Sequence, residues 1–181
     1  SQWADKYRIL PSSTSSEAGR WRTARTPYLR EIMDELSVTS DTQKVVVIKG
    51  TQLGFSECAN NTIGYFIHYA PCPIGFWQPT DKLAEKHAKQ KLWKMREESP
   101  VLKEKIADRR SKDGASTITE WTFPGGTLSI AGSNSSASFR SSSYKVVLLD
   151  DIDGFADDVE GEGVQGGAEV GVGHLKLQRF V

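Results

Sequence analysis

A lysine, two glycines and a serine crowd into KGTQLGFS, residues 49–56, and three acids into DDID, residues 150–153. Side chains of these types could together bind and cleave a phosphoanhydride. The N–H groups of a glycine-bearing loop that runs into a helix hold phosphate oxygens without any side chain, aided by the helix dipole. A hydroxyl and one carboxylate then hold a magnesium ion, while a second carboxylate orients the attacking water. The lysine, however, is displaced from the standard pattern G-x-x-x-x-G-K-[ST]. With Gly54 and Ser56 aligned to its last glycine and its hydroxyl, Phe55 takes the lysine position and Lys49 the first glycine. A flexible ammonium at the opposite end of the loop reaches the same β- and γ-phosphates, because lysine acts there as a point charge and not as a shaped fork.

The candidate nucleotide-binding segment is therefore Lys49, Gly50, Thr51, Gln52, Leu53, Gly54, Phe55, Ser56 and Glu57. Ser56 and Asp150 are the candidate magnesium ligands, and Asp151 is the acid that polarises water, with Asp153 in its place if the strand ends differently. A plainer reading makes KGTQLGFS a strand-to-helix turn and the acids a solvated loop or a helix cap. Two halves about a hundred residues apart, each following an apolar strand, favour the site over that reading.

The elements that must position these residues are legible from periodicity. Residues 45–48 are apolar and β-branched, and 56–70 carry helical apolar spacing at Cys58, Ile63, Phe66 and Ile67, giving strand, loop, helix. Upstream, a Ser-rich loop at 11–19 precedes WRTARTPYLREIMDEL, where Pro27 suits a first turn and Tyr28, Ile32 and Leu36 recur as one buried stripe. Downstream, 74–78 reads as a strand, and 79–99 as a helix with Thr80 and Asp81 as cap candidates and an exposed basic face. A short helix from about 100 to 108 follows, then a hairpin of 117–123 and 127–131 about Pro124–Gly126, then the strand KVVLLDD. Near-continuous apolar strands alternating with helices predict an α/β fold: a doubly wound, mostly parallel sheet with helices on both faces. The glycine-rich 161–173 predicts a mobile loop or an incomplete edge.

Composition permits this and excludes little else. The chain has 181 residues, 38% of them hydrophobic, which suits one folded domain. Lys plus Arg equals Asp plus Glu at 23 each, so any contact with nucleic acid must be local. Cys58 and Cys72 have no metal-ligand spacing and do not suggest a disulfide framework. With no apolar run of membrane-spanning length and no signal-like start, the expectation is a soluble, unsecreted protein in a reducing compartment.

Taken together, WADKYRIL, GRWRTARTPYLREIMDEL, VVVIKGTQLGFSE, WQPTDKLAEKHAKQKL and FPGGTLSIAGSNSSASFRSSSYKVVLLDDID resemble the large terminase subunit of tailed bacteriophages, of the lambda gpA-like type. The likeness covers roughly residues 1–160, the N-terminal packaging ATPase region. It implies a P-loop NTPase of the RecA/ASCE-like kind, in which a lysine at the head of the loop is a working variant. It also implies the cofactors ATP and Mg²⁺, and a motor that drives double-stranded viral DNA into a procapsid. The partners would be the small terminase subunit, the portal protein and further copies of the chain, without a membrane, in the host cytoplasm. Residues 1–40 would form an adenine-recognition region and helix, 44–155 the P-loop core and 156–181 a glycine-rich tail, with the separate nuclease domain absent. Arg25, Pro27 and Tyr28 would contact base or ribose, and Arg140 a phosphate or a neighbouring subunit.

This chain departs from the resemblance in having Asp150-Asp151 where Asp-Glu is usual, and in a tail only loosely like the expected continuation. Three alternatives stay open: an assembly module that holds nucleotide with little or no turnover, a helicase-like translocase, and a structural scaffold with no nucleotide site. On the helix at 79–99, Lys82, Lys86, Lys89, Lys91, Lys94, Arg96 and Trp93 are candidates for DNA backbone contact. A solvated face balanced by Glu85, Glu97 and Glu98, with a solvated His87, is the favoured reading of that helix.

Overall fold

A computed structural model describes residues 1–13, 15, 17–50, 52–107, 116–134 and 143–155, together with the backbone of 158–159, 162–163 and 173–179. Along the chain run α1 (Gln2–Tyr7), β1 (Ile9–Leu10), β2 (Gly19–Arg20), α2 (Tyr28–Glu35), β3 (Lys44–Lys49) and α3 (Phe55–Tyr69). Then come β4 (Ile74–Gln78), α4 (Asp81–His87), a π-helical turn (Ala88–Leu92), α5 (Trp93–Glu98) and α6 (Pro100–Lys103). The remaining elements are β5 (Glu120–Phe123), β6 (Gly126–Gly132), β7 (Val146–Leu149), the short β8 (Asp158–Val159) and β9 (Glu162–Gly163), and β10 (Gly173–Arg179).

Six strands form the main sheet in the order β3-β10-β7-β4-β6-β5. β4 pairs in parallel with both β6 and β7, whereas β10 is antiparallel to β3 and to β7, and β5 is antiparallel to β6. Two antiparallel steps restore direction, so β3, β7, β4 and β6 all run the same way, and the sheet is mixed with a mostly parallel sense. Of the segment 156–181 expected as a tail, Gly173–Arg179 lies inside the sheet, between the strand carrying Lys49 and the strand leading to Asp150, while most of the expected loop at 161–173 lies outside the described residues.

Register places the core on one face. Ile74 lies opposite both Leu128 and Val146, and Phe76 opposite Ile130 and Leu148, and alternation turns all six to the same side. They join one buried cluster with Leu29, Met33, Cys58, Ile63, Ile67, Ala84, Leu92, Met95 and Leu102, which come from α2 to α6. Each fully buried aliphatic or aromatic side chain there contributes about 1.5–3 kcal/mol. Among the described residues, then, the helices gather on one face, where helices on both had been expected. On the other face Val46 and Ile48 are exposed, and Trp77 covers the middle by folding over Gly75, where a Cβ would stand 2.1 Å from the indole. Tyr144 packs edge-on against that indole at 5.1 Å. The apolar runs that predicted a second helical layer are thus partly covered by an aromatic pair.

Other expectations are met or shifted locally. Thr80 caps α4 by accepting from the Leu83 N–H, while Asp81 accepts from the Gly132 N–H and ties the helix to β6. The hairpin turn sits at Gly125, whose φ of 86° suits glycine. The buried stripe of α2 is Leu29, Met33 and Leu36: Leu36 is as expected, Leu29 and Met33 take the places of Tyr28 and Ile32, and Tyr28 is left half exposed at 49%. Both cysteines are free and buried. No helix among the described residues is long and apolar enough to cross a membrane.

Candidate active site

β3 delivers Lys49, and after the loop α3 begins at Phe55, with Gly54 at φ 81° and Gln52 at φ 60°. A Cβ at Gly54 would meet Leu29 only at an ordinary 3.6 Å, so the left-handed backbone, not space, is what requires glycine there. The first N–H groups of α3 have no intrahelical acceptor and carry the positive end of its dipole. Phe55, at the standard lysine position, is buried and packs toward Tyr28, with ring centroids 6.1 Å apart. Lys49 is buried as well, at 9% exposure, but its ammonium has carboxylates beside it, which a buried cation requires.

The acids arrive from β7. The Asp150 N–H donates to the Trp77 carbonyl at 3.0 Å, extending the pairing with β4. Its carboxylate, only 1% exposed, accepts through Oδ2 from the Ser56 hydroxyl at 2.7 Å and the Gln78 amide at 3.2 Å. Oδ1 has no hydrogen-bond partner and lies 3.9 Å from Lys49 Nζ. The same ammonium donates to Asp151 Oδ1 at 2.6 Å. Asp151 is 52% exposed on its side chain, and its φ of 53° is uncommon for a residue with a Cβ. Thus Lys49, Ser56, Asp150 and Asp151, chosen from two segments about a hundred residues apart, meet at one spot.

A cleft of about 290 Å³ is lined by Lys49, Gly50, Gln52–Glu57, His87 and Lys91; of the cluster it takes in Lys49 and Ser56, and the two acids stand behind them. A larger cavity, about 470 Å³, lies between α1, α2 and α3 and holds none of the predicted residues. Tyr28 stands beside the loop, its hydroxyl donating to the Leu53 carbonyl at 3.0 Å, and Pro27 is the N-cap of α2. Arg25 pairs with Glu17 at 2.5 Å in an exposed position and is not part of the cleft wall. Asp153 is exposed in the short 3₁₀ turn Ile152–Gly154. Thr51 and Arg140 lie outside the described residues.

The far wall differs most from expectation. His87 is no solvated residue: it is bonded through Nε2 to Asn60 Oδ1 at 2.8 Å and sits edge-on to Phe76 at 5.0 Å. Burial pushes its pKa down, against the opposing pull of Asp150 and Glu57. Trp93 is buried, and Arg96 is buried too, donating twice to the Ile106 carbonyl, which removes both from any DNA-facing surface. Glu57 is gripped by Arg8 at 2.7 Å and Lys91 at 3.0 Å. Burial raises the pKa of Glu57, and the two cations outweigh it and hold the carboxyl below its ordinary value. Burial lifts the Cys58 thiol to about 12, so it is no nucleophile.

Against known families, residues 15–167 match the one described as phage terminase large subunit gpA, ATPase domain. The chain belongs to that family. Terminase large subunits of Escherichia phage lambda and Enterobacteria phage P21 are each 28% identical to it, over 163 and 165 residues, or 90% of this chain and 25% of theirs. This gpA-type domain therefore spans about a quarter of the length of the curated relatives it matches. No solved structure matches it.

Within this gpA-type domain, sequence reasoning missed Gln78, Asn60 and Arg8, and it took His87 for a solvated residue. Gln78 had a signal: a polar residue closing a wholly buried strand. Arg8 had none, since its partner is 49 residues away and on another element.

Proposed function

We propose that this domain hydrolyses ATP to drive double-stranded viral DNA into a procapsid, as the motor part of a terminase large subunit. The observation that carries the reading is the contact of Asp150 and Asp151 with Lys49 and Ser56, two residues that line one cleft. Support for a RecA-like P-loop arrangement comes from β3 and β7 running the same way in one sheet, so that loop and acids share its C-terminal edge.

The residues fit a magnesium ion. A buried carboxylate with one oxygen unbonded, next to a serine hydroxyl, offers the hard oxygen donors that the ion takes one or two at a time from protein. Asp150 and Ser56 would hold it, and it would neutralise charge on the phosphates. Gln78 keeps Asp150 oriented. The loop and the start of α3 cradle the phosphate chain, and Lys49 leaves Asp151 for the terminal phosphate. Asp151, released, accepts a hydrogen bond from the water that attacks phosphorus in line; the bond to the bridging oxygen breaks, giving ADP and inorganic phosphate. Tyr28 flanks the base or ribose. Further copies of the chain, the small terminase subunit and the portal protein are the proposed partners, in the host cytoplasm.

The test is phosphate release with Mg²⁺ and ATP, with and without duplex DNA, for the wild type and Asp151→Asn. Release by the wild type that falls by about a hundredfold or more in the variant, with nucleotide still bound, supports the motor reading. Binding without release by either protein, with DNA present, replaces it with a passive assembly module.

A further inference from the structure

Lys91 reaches the cleft from the wall opposite Lys49, and its pairing has an imbalance. One carboxylate, Glu57, faces two cations: Arg8, 1% exposed on its side chain, and Lys91, 34% exposed. His87 beside them is bonded through Nε2 to Asn60 Oδ1 at 2.8 Å and offers no carboxylate to offset them. The cluster therefore carries one positive charge in excess, turned toward a cleft whose other wall is a glycine loop and a helix start. Lys91 can leave Glu57 without stranding a buried charge, since Arg8 remains on the other carboxylate oxygen at 2.7 Å. The π-helical turn Ala88–Leu92 carries it, a backbone form often found where a helix serves a site.

The two lysines also differ in what stands beside them. Lys49 is next to Asp151, the proposed water-orienting acid, and hence next to the phosphate that is attacked. Lys91 is next to Glu57, in the first turn of α3 and on the far side of Ser56 from Gly54. Resting on the reading of the cleft as a nucleotide site, we infer that the task of the single lysine of the standard loop is divided here. Lys49 serves the terminal phosphate, and Lys91 moves from Glu57 to the inner phosphates, making it a second phosphate-binding residue. Phe55, turned into the core at the standard position, leaves room for this arrangement.

Titration of the chain with fluorescent ATP and ADP analogues in Mg²⁺, for wild type, Lys91→Met, Lys91→Arg and Lys49→Ala, tests the division. Lys91→Met is expected to weaken both nucleotides by about tenfold, the loss of one charge-assisted hydrogen bond, and Lys91→Arg to stay within about threefold. Lys49→Ala should weaken ATP more than ADP. ADP binding to Lys91→Met equal to wild type, or a loss confined to ATP, overturns the assignment. Failure of the wild type to bind either nucleotide, or no effect of Lys49→Ala, instead contradicts the reading of the cleft, and the inference falls with it. A thermal melt of Lys91→Met near that of wild type shows that the loss is local.

Discussion

Asp150 and Asp151 are neighbours with the same side chain and opposite circumstances. Asp150 is sunk beneath Ser56 and Gln78, while Asp151 stands half in water with a left-handed backbone. Backbone and carboxylate can be separated at Asp151. Asparagine tolerates that conformation, so Asp151→Asn should cost only what the lost charge beside the buried Lys49 costs, about 1 kcal/mol in urea titrations, while turnover falls by about a hundredfold or more. Valine does not, and Asp151→Val should be about 1–2 kcal/mol less stable than Asp151→Asn in the same measurement. Lys49, Ser56 and the two acids were legible in the sequence because each closes or follows a short apolar strand, where local pattern suffices. Gln78, His87 and Arg8 act through partners 72, 27 and 49 residues away, and only folding brings such partners together.

At the scale of elements, α3 is both the floor of the cleft and the core's central helix, so what packs on it positions the loop. Gly64 lets α1 approach: a Cβ there would stand 2.3 Å from the Trp3 ring. Gly64→Ala should therefore destabilise the fold by about 1–3 kcal/mol despite alanine's better helix propensity, read from urea midpoints at constant slope. α4 packs on the cleft through His87, whose pKa lies below its ordinary 6.5 because it is buried. Below that value the unfolded chain binds a proton that the folded chain refuses, so stability falls as pH drops. His68, lowered chiefly by its own burial, adds a contribution of the same sign. Unfolding free energy should be smaller at about pH 5.5 than at about pH 7.5, and His87→Gln should flatten part of that slope. The carboxyl of Glu57, held below its ordinary 4.5, acts in a lower window: its stabilisation is lost only as pH falls through the folded value. The starts of α3 and α4 were legible from the glycine loop and the Thr80 cap, but α1 was not, α6 ends at Lys103 and not near 108, and the π turn was hidden because its residues AKQKL carry no breaker.

Across the whole molecule the alternation of strands and helices was legible, and the position of the last strand was not. GHLKLQR follows a glycine-rich stretch and becomes a strand only through partners on both sides, β3 and β7. Since β10 is the neighbour of β3 in the sheet, a chain ending at residue 155 should lose the tie between loop strand and acid strand. Its expected behaviour is a lower melting temperature and loss of nucleotide binding together. Everything proposed for the intact chain depends on one displaced cation serving the loop from its head. That claim is tested most directly by binding of a fluorescent ATP analogue with Mg²⁺ to the wild type and to Lys49→Ala, both confirmed folded by circular dichroism. Binding weakened at least about tenfold in the variant is the predicted result, and equal binding by the two proteins would contradict it.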